Sequence, residues 1–353
     1  MNNRYFAASN SSRGFKNYFK EVFERADKIY VVKGGPGTGK SSFMKRCSRQ
    51  AEERGCAVEN YCCSSDADSL DGALIFDGKK YIGVLDGTAP HIWEPQFPGI
   101  REQIVDLGQF WNGQILTAQK NEIIALGRKK SMAYNKAYTY LRSCGNLRTV
   151  TDMLLREVLN YEKMSRAVTR IIQSLGLIDG IATLIPTPTD AVTMKGYVTI
   201  DTFREKAENI YAVGMSHGIG QLFLCELEDQ LKSKAVTVRV AYDAVCPWLI
   251  NEILIEDIKT VFCVSETDEN DIEPVGKSGK YINSKRFVDA ESLRAVRGEI
   301  RYTGKLSQSS LEGALHALSE VNVYHFLLED IYKNAMDFKA LTEFTNEFVE
   351  TFI

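Results

Sequence analysis

Residues 29 to 42 read IYVVKGGPGTGKSS, and the fold follows from how this stretch divides. The β-branched run Ile29–Val32 predicts a strand buried on both faces, as in a parallel sheet. Residues 34–41 have the spacing G-x-x-x-x-G-K-[ST] of a phosphate-binding loop. The run SSFMKRCSRQAEER (41–54) sets Phe43, Met44, Cys47 and Ala51 at helical spacing, and Gly55 is a natural stop. Gly34, Gly35, Gly37 and Gly39, with Pro36 and Thr38 between them, let the backbone curl and aim its N–H groups inward. Those donors and the positive helix end make a phosphate cradle over residues 34–42, ending at Ser42. Lys40 carries a charge to the outer phosphates, and the Ser41 hydroxyl is a magnesium ligand.

This strand, loop and helix resemble the P-loop NTPase superfamily, which implies ATP and Mg²⁺ as ligands. Such a loop needs a carboxylate at the end of a neighbouring strand. In YIGVLDGTAPH (81–91), Asp86 closes the short strand Tyr81–Leu85 and is the expected second magnesium ligand; the competing reading is an Asp-Gly turn. His91 is either a phosphate sensor or a packed, capping histidine. In YCCSSDADSLDG (61–72), Val58–Ser64 reads as a strand with Asp66, Asp68 and Asp71 in its exit loop. Asp66 there could orient water or deprotonate a hydroxyl; otherwise these are loop-forming and N-capping aspartates. An EF-hand fails, because its sixth position is Asp71 and its twelfth is Asp77.

The chain also repeats itself. ADKIYVVKGGPGTGK (26–40) matches AENIYAVGMSHGIGQ (207–221) at Ala, Ile, Tyr, Val and two Gly. Residues 58–87 align without gaps on 238–267, apolar run on apolar run. Glu122–Ile123 and Ala137–Leu141 correspond to Glu299–Ile300 and Ala314–Leu318, and 154–167 parallels 326–340. A unit of about 170 residues is therefore read as duplicated. The second copy has lost the chemistry: Lys40 becomes Gln221, Ser41 becomes Leu222, Gly34 becomes Met215 and Asp66 becomes Cys246. His217 in that loop reads as structural.

The expected fold is α/β: two tandem P-loop NTPase-like three-layer domains, 1–180 and 181–353, with mostly parallel sheets. Each is followed by a helical hairpin, the first within an insert at about 99–177. Leu147, Val150, Leu154, Val158, Tyr161, Val168, Ile171 and Leu175 mark one helix of that insert, and Ile123 to Leu141 the preceding one. The run Arg128–Lys130 reads as a solvated face or, less simply, a lid. LIPTPTDAVTMKG (184–196) is the best linker, and TEFTNEFVETFI closes the chain as a helix with Phe344 and Phe348 on its apolar side.

Composition narrows the function classes. The 353 residues are 44% apolar and 25% charged, and 43 Lys+Arg against 46 Asp+Glu leave a net charge of −3. So even a balance provides no global field for nucleic acid or an anionic membrane. No run approaches the roughly 18 apolar residues of a membrane span, and the start lacks a signal-peptide core, so a cytoplasmic location is expected. None of the 8 cysteines stands in a C-x-x-C pair, against a zinc ribbon or a thioredoxin-like site.

Together GGPGTGKSS, YCCSSDADSLDG, VLDGTAPH and FPGIREQIVDLGQFW are similar to an uncharacterised family of duplicated P-loop ATP-binding proteins from Gram-positive bacteria. Its members tend to carry a usable loop in both halves, and Gln221 and Leu222 depart from that. That departure argues against a two-site mechanism, and the residues themselves read as a Mg-dependent ATPase or ATP-driven switch with one active and one degenerate site, using Lys40, Asp86 and Asp66. A small-molecule kinase with Asp66 as base and an ATP-binding scaffold without turnover are the alternatives. A GTPase is disfavoured, as no N-K-x-D follows. The partner, protein or small molecule, is not named by any motif, a homo-oligomer is left open, and no arginine finger is assigned, although Arg101 and Arg128 are nearby in sequence.

Overall fold

The computed structural model describes residues 3–266 and 278–353. The first half runs β1 (Asn3–Phe6), a hairpin β2 (Ala8–Ser11) and β3 (Gly14–Asn17), α1 (Phe19–Phe23), β4 (Lys28–Lys33), α2 (Lys40–Glu53), β5 (Ala57–Cys62), β6 (Leu70–Phe76), β7 (Tyr81–Asp86) and β8 (Glu102–Asp106). Helices α3 (Gly113–Ala118), α4 (Lys120–Val158) and α5 (Tyr161–Ser174) follow. The second half repeats the series: β9 (Thr183–Pro186), β10 (Asp190–Thr193), β11 (Gly196–Thr199), α6 (Thr202–Lys206), β12 (Asn209–Gly214), α7 (Ile219–Leu231), β13 (Thr237–Tyr242), β14 (Ile250–Ile255), β15 (Thr260–Ser265), β16 (Ser278–Ile282), α8 (Ala290–Asn334) and α9 (Phe338–Thr351).

These strands form two six-stranded mixed sheets, ordered β1-β5-β6-β7-β4-β8 and β9-β13-β14-β15-β12-β16. The two orders correspond strand for strand. In each, one strand (β6 or β14) runs antiparallel to both neighbours and the other pairings are parallel. Strand β6 occupies the stretch read as an exit loop, so Asp71 lies in a strand. Register also corrects the ungapped alignment. Val32 pairs with Asp86, and its counterpart Val213 pairs with Val264. The turn between β14 and β15 is shorter, so Val264, not Glu266, stands where Asp86 does. The end of that alignment, Thr267, lies outside the described residues.

Alternation along the strands builds the layers. In the first sheet Tyr30, Val32, Val58, Cys62 and Ile75 face α2, while Ile29, Val31, Tyr61 and Leu74 face α1. Ala241, Leu254 and Val261 of the second sheet, with Phe203 of α6, enter that same inner core. The two units are thus not separate three-layer bodies, since one apolar layer serves both sheets.

The helical region differs most from the sequence reading. The insert expected from about residue 99 begins with β8, paired to β4. No hairpin forms after it: α4 continues unbroken through Gly145. At that glycine the bare Cα leaves room for the Ser12 side chain, which a Cβ would strike. α4 pairs instead with α8, antiparallel, through Lys136–Glu320, Cys144–Ser307 and Thr151–Thr303. The terminal helices are exchanged. Met164, Val168 and Ile172 of α5 pack on the second sheet, and Leu341, Val349 and Phe352 near the C-terminus pack on the first. A cut near residue 180 therefore severs each sheet from a helix that covers it.

One pair of matched positions has diverged. On the inner face of the first sheet a Cβ on Gly72 would lie 2.6 Å from the Phe23 ring. Their counterparts are Glu252 and Arg204, joined at 3.0 Å, with Thr189 donating to Glu252 at 3.1 Å. Burial pushes the Glu252 carboxyl up to about 7 despite Arg204. A raised folded pKa means that the native chain binds the extra proton, so this group's contribution falls as pH rises from about 4.5 through about 7. Glu252→Gln should therefore gain on the wild type by up to about 3 kcal/mol between pH 5 and pH 8. Urea unfolding at both values checks this, and a constant difference would refute it.

Candidate functional site

Strand β4 delivers the chain to the glycine-rich loop, and Lys40 opens α2. Gly37 and Gly39 have φ of +71° and +80°, the left-handed region that glycine adopts without strain. The Thr38 hydroxyl donates to the Gly35 carbonyl at 2.9 Å, buried within the loop. Lys40 Nζ donates to the carbonyls of Gly34 and Gly35 at 2.9 and 2.8 Å and stands 3.6 Å from Asp86 Oδ2. Ser41 Oγ accepts the Leu70 N–H at 2.9 Å, tying the first turn of α2 to β6. Ser42 is exposed on that turn, and Pro36 is half-buried.

Asp86 ends β7 beside the loop, its Oδ1 accepting from the Thr88 N–H at 2.8 Å. Burial raises its carboxyl pKa; Lys40 opposes this and the charge of Asp71 adds to it. Asp71 and His91 form a buried pair, Oδ2 to Nε2 at 2.9 Å. The His91 ring packs against Phe15 and Phe19 at 5.0 and 4.8 Å between centroids. Burial alone would raise Asp71 and lower His91; their mutual attraction reverses both.

Asp66 sits further out. The hairpin of the second half brings Lys195 Nζ to 2.6 Å from Asp66 and 2.9 Å from Asp68, and the Ser69 hydroxyl donates to Asp66 at 3.1 Å. The Met194 N–H donates to the Ser65 carbonyl at 3.0 Å, and the exchange is reciprocal, since the Ser12 N–H donates to Val245 at 2.9 Å. The two hairpin tips cross, each to the opposite half.

The long helices close the loop from above. Tyr134 of α4 lies 3.2 Å from Ser65, hydroxyl to hydroxyl. One turn earlier, Lys130 is half-buried, its ammonium pKa lowered by burial and by the charge of Lys40. From α8, His325 is held low by burial, by Lys130 and by Lys40, and a Cβ on Gly35 would touch Trp111 and Tyr332. A Cβ on Gly37 would lie 2.6 Å from the Glu329 carbonyl. Gly37→Ala thus adds a close contact to a left-handed φ, and a loss of about 2 kcal/mol or more is expected in denaturant unfolding. Stability equal to wild type would contradict this seating of α8.

Of the charged run 128–130, then, Arg128 and Lys129 are exposed and Lys130 is half-buried, within reach of the Lys40 charge. Arg101 is spent on the carbonyls of Ala26, Phe23 and Glu24, at the far end of β4. Lys195 and His325 escaped the sequence reading because only tertiary packing brings Lys195 to Asp66 and His325 within reach of the Lys40 charge, whereas Lys130 belongs to the run read as a solvated face or a lid. Asp71 did carry a signal: its alignment with Asn251, a carboxylate replaced by its amide.

The counterpart loop in the second half is occupied by its own side chains. Gln221 is buried and donates to Asn251 Oδ1 at 2.7 Å and Asp243 Oδ2 at 3.3 Å. Arg148 of α4 hydrogen-bonds Gln221 Oε1 and lies over Gly218. Leu222 packs in a core with Ile219, Ala244 and Val245. His217 has φ of +61° in the loop.

The residues of the first loop fit a polyphosphate with magnesium: a backbone cradle, one ammonium, one hydroxyl and one carboxylate. Among the described residues no group of three His, Cys, Asp or Glu could hold a metal by itself. No described helix is long and apolar enough to cross a membrane. Compared with protein-family models, curated proteins and solved structures, the chain matches none.

Proposed function

We propose that this chain binds one ATP with Mg²⁺ at residues 34–42 and hydrolyses it, acting as an ATPase or ATP-driven switch. The observation that carries the reading is Lys40, 3.6 Å from Asp86 at the mouth of a glycine-rich cradle that opens a helix. Lys40 would neutralise the outer phosphates, while Ser41 and Asp86 would hold Mg²⁺ and its waters. Magnesium supplies charge neutralisation and a template for the phosphates. Lys130, His325 and Tyr134 would exclude water from above, and Lys130 would add positive charge on that side of the cradle.

The second half supports a single site. It lacks the ammonium, the hydroxyl and, at Val264, the carboxylate, and Arg148 lies over its loop. Its contribution is to enclose the first site through Lys195 and α8. The kinase reading, with Asp66 as base, is less well supported because Asp66 is already bonded to Lys195 and Ser69. Titration calorimetry with Mg-ATP should give one site per chain, and a phosphate-release assay should show turnover without an added acceptor. Two equal sites, or none, would refute the proposal. Binding without release would favour the scaffold reading, and ADP formation that needs a small-molecule acceptor and yields its phosphorylated product would favour the kinase.

A further inference from the structure

We infer that Asp71, rather than Asp66, is the carboxylate that orients the attacking water and takes its proton, with His91 as its positioning residue. The inference rests on the ATP reading above and goes beyond it, because Asp71 lies outside both the loop and the strand that ends in Asp86.

Three independent observations point to it. The first is a register shift. Tyr61 pairs with Gly72 while Cys62 pairs with Leu70, so Asp71 is the unpaired residue of a bulge. Bulges beside sites re-aim a side chain that the regular pleat would send elsewhere. The second is the internal repeat. The same bulge recurs where Ala241 pairs with Glu252 and Tyr242 with Ile250, leaving Asn251 unpaired. Asn251 accepts a hydrogen bond at 2.7 Å from Gln221, the residue at Lys40's position. The duplicated geometry thus turns this residue toward the loop, and in the working copy the charge of Asp71 acts on Asp86. The third is support. Asp71 is buried and held by His91 at 2.9 Å, and His91 is wedged between two aromatic rings. Asp66 is half-buried and already paired with Lys195.

In the step, the water oxygen bonds to the γ phosphorus as the bond from phosphorus to the β,γ-bridging oxygen breaks. The electron pair of that bond leaves with ADP. The water proton passes to the Asp71 carboxylate and then to the phosphate product, which regenerates the carboxylate. His91 moves no proton; it fixes the carboxylate against rotation.

Asp71→Asn is the test, because the second half already seats asparagine in the same bulge. Turnover should fall about 100-fold or more, and further than in Asp66→Asn. Affinity for ADP and ATP should change less than about threefold, so the loss lies in kcat and not in binding. The tightening that aluminium fluoride confers on bound ADP, a mimic of the transition state, should disappear. His91→Gln, which keeps a donor toward Asp71, should retain more turnover than His91→Leu at equal ATP affinity. Full turnover in Asp71→Asn, retained aluminium fluoride tightening, or a larger loss in Asp66→Asn overturns the assignment and leaves the ATP reading standing. A wild-type chain that binds ATP without releasing phosphate overturns it too. Failure of the wild type to bind ATP overturns the ATP reading itself.

Discussion

Lys40→Ala abolishes ATP turnover and weakens Mg-ATP binding by about 100-fold or more; that is the expected result, and the functional reading depends on it. The ammonium now bridges the carbonyls of Gly34 and Gly35 and faces Asp86. Toward a triphosphate it would make at least two charge-assisted hydrogen bonds. Each is worth roughly 1.5–3 kcal/mol, and every 1.4 kcal/mol is a factor of ten in affinity. Without it, a buried carboxylate faces the phosphates unopposed. The fold should survive, because Asp86, already raised by burial, can take up a proton. Titration calorimetry, phosphate release and a circular dichroism melt on one preparation separate these effects. Unchanged turnover in a folded variant would refute the proposed function.

Arg239→Met is expected to cost about 3–5 kcal/mol of stability, more than any other surface-distant change considered above. Arg239 on β13 and Glu59 on β5 are counterparts: each pairs across its own sheet with a leucine, Leu254 or Leu74. They point into the layer shared by the two sheets and meet there as an ion pair. Arg25 adds a contact to Glu59 at 3.0 Å, and Glu256 one to Arg239 at 2.5 Å. Burial would raise Glu59; Arg239 and Arg25 hold it down to about 2. Removing the arginine leaves a largely buried carboxylate with one partly exposed cation, Arg25, and the Tyr61 hydroxyl, which donates to it at 2.7 Å. Glu59→Gln in the same chain should recover most of the loss, because no uncompensated charge then remains. A double-mutant cycle by urea unfolding tests this, and additive losses would show the two residues to be uncoupled.

The same pair explains why the duplication matters. In two identical units joined across a twofold, position 59 would meet its own copy, and like charges there would repel. In one chain the two copies of the position can differ, and here they carry opposite charges. The arrangement favours association of unequal halves over association of equal ones.

Legibility in the sequence depended on the range of the interactions. The loop, α2 and the strand ending in Asp86 could be read because their signals are local: glycine at positions needing φ above zero, apolar residues at fixed spacing, a carboxylate closing a short run. The loss of Lys40 and Ser41 in the second half was equally readable. The antiparallel strand β6 was missed because its first residues, Leu70 and Asp71, follow an acidic segment that reads as a loop. The hairpin expected inside the insert failed because apolar periodicity marks helical stretches without showing where one helix ends: α4 runs unbroken across the expected turn, and its partner is the distant α8.

By itself, then, the sequence determined an α/β chain with a glycine-rich loop at 34–41 ahead of a helix, and a second copy without the lysine and serine of that loop. Backbone curvature and apolar periodicity are properties of short segments, so they survive without knowledge of their neighbours. The tertiary structure alone decided that α5 and α9 cover the opposite sheets, that Lys195 pairs with Asp66, that Lys130 and His325 come within reach of the Lys40 charge, and that Asp71 sits in a bulge beside His91. Each of these depends on which of two equivalent surfaces an element buries. With duplicated halves, both surfaces satisfy the local pattern equally, and only packing of the whole chain, through the α4–α8 pair and the Glu59–Arg239 contact, selects one.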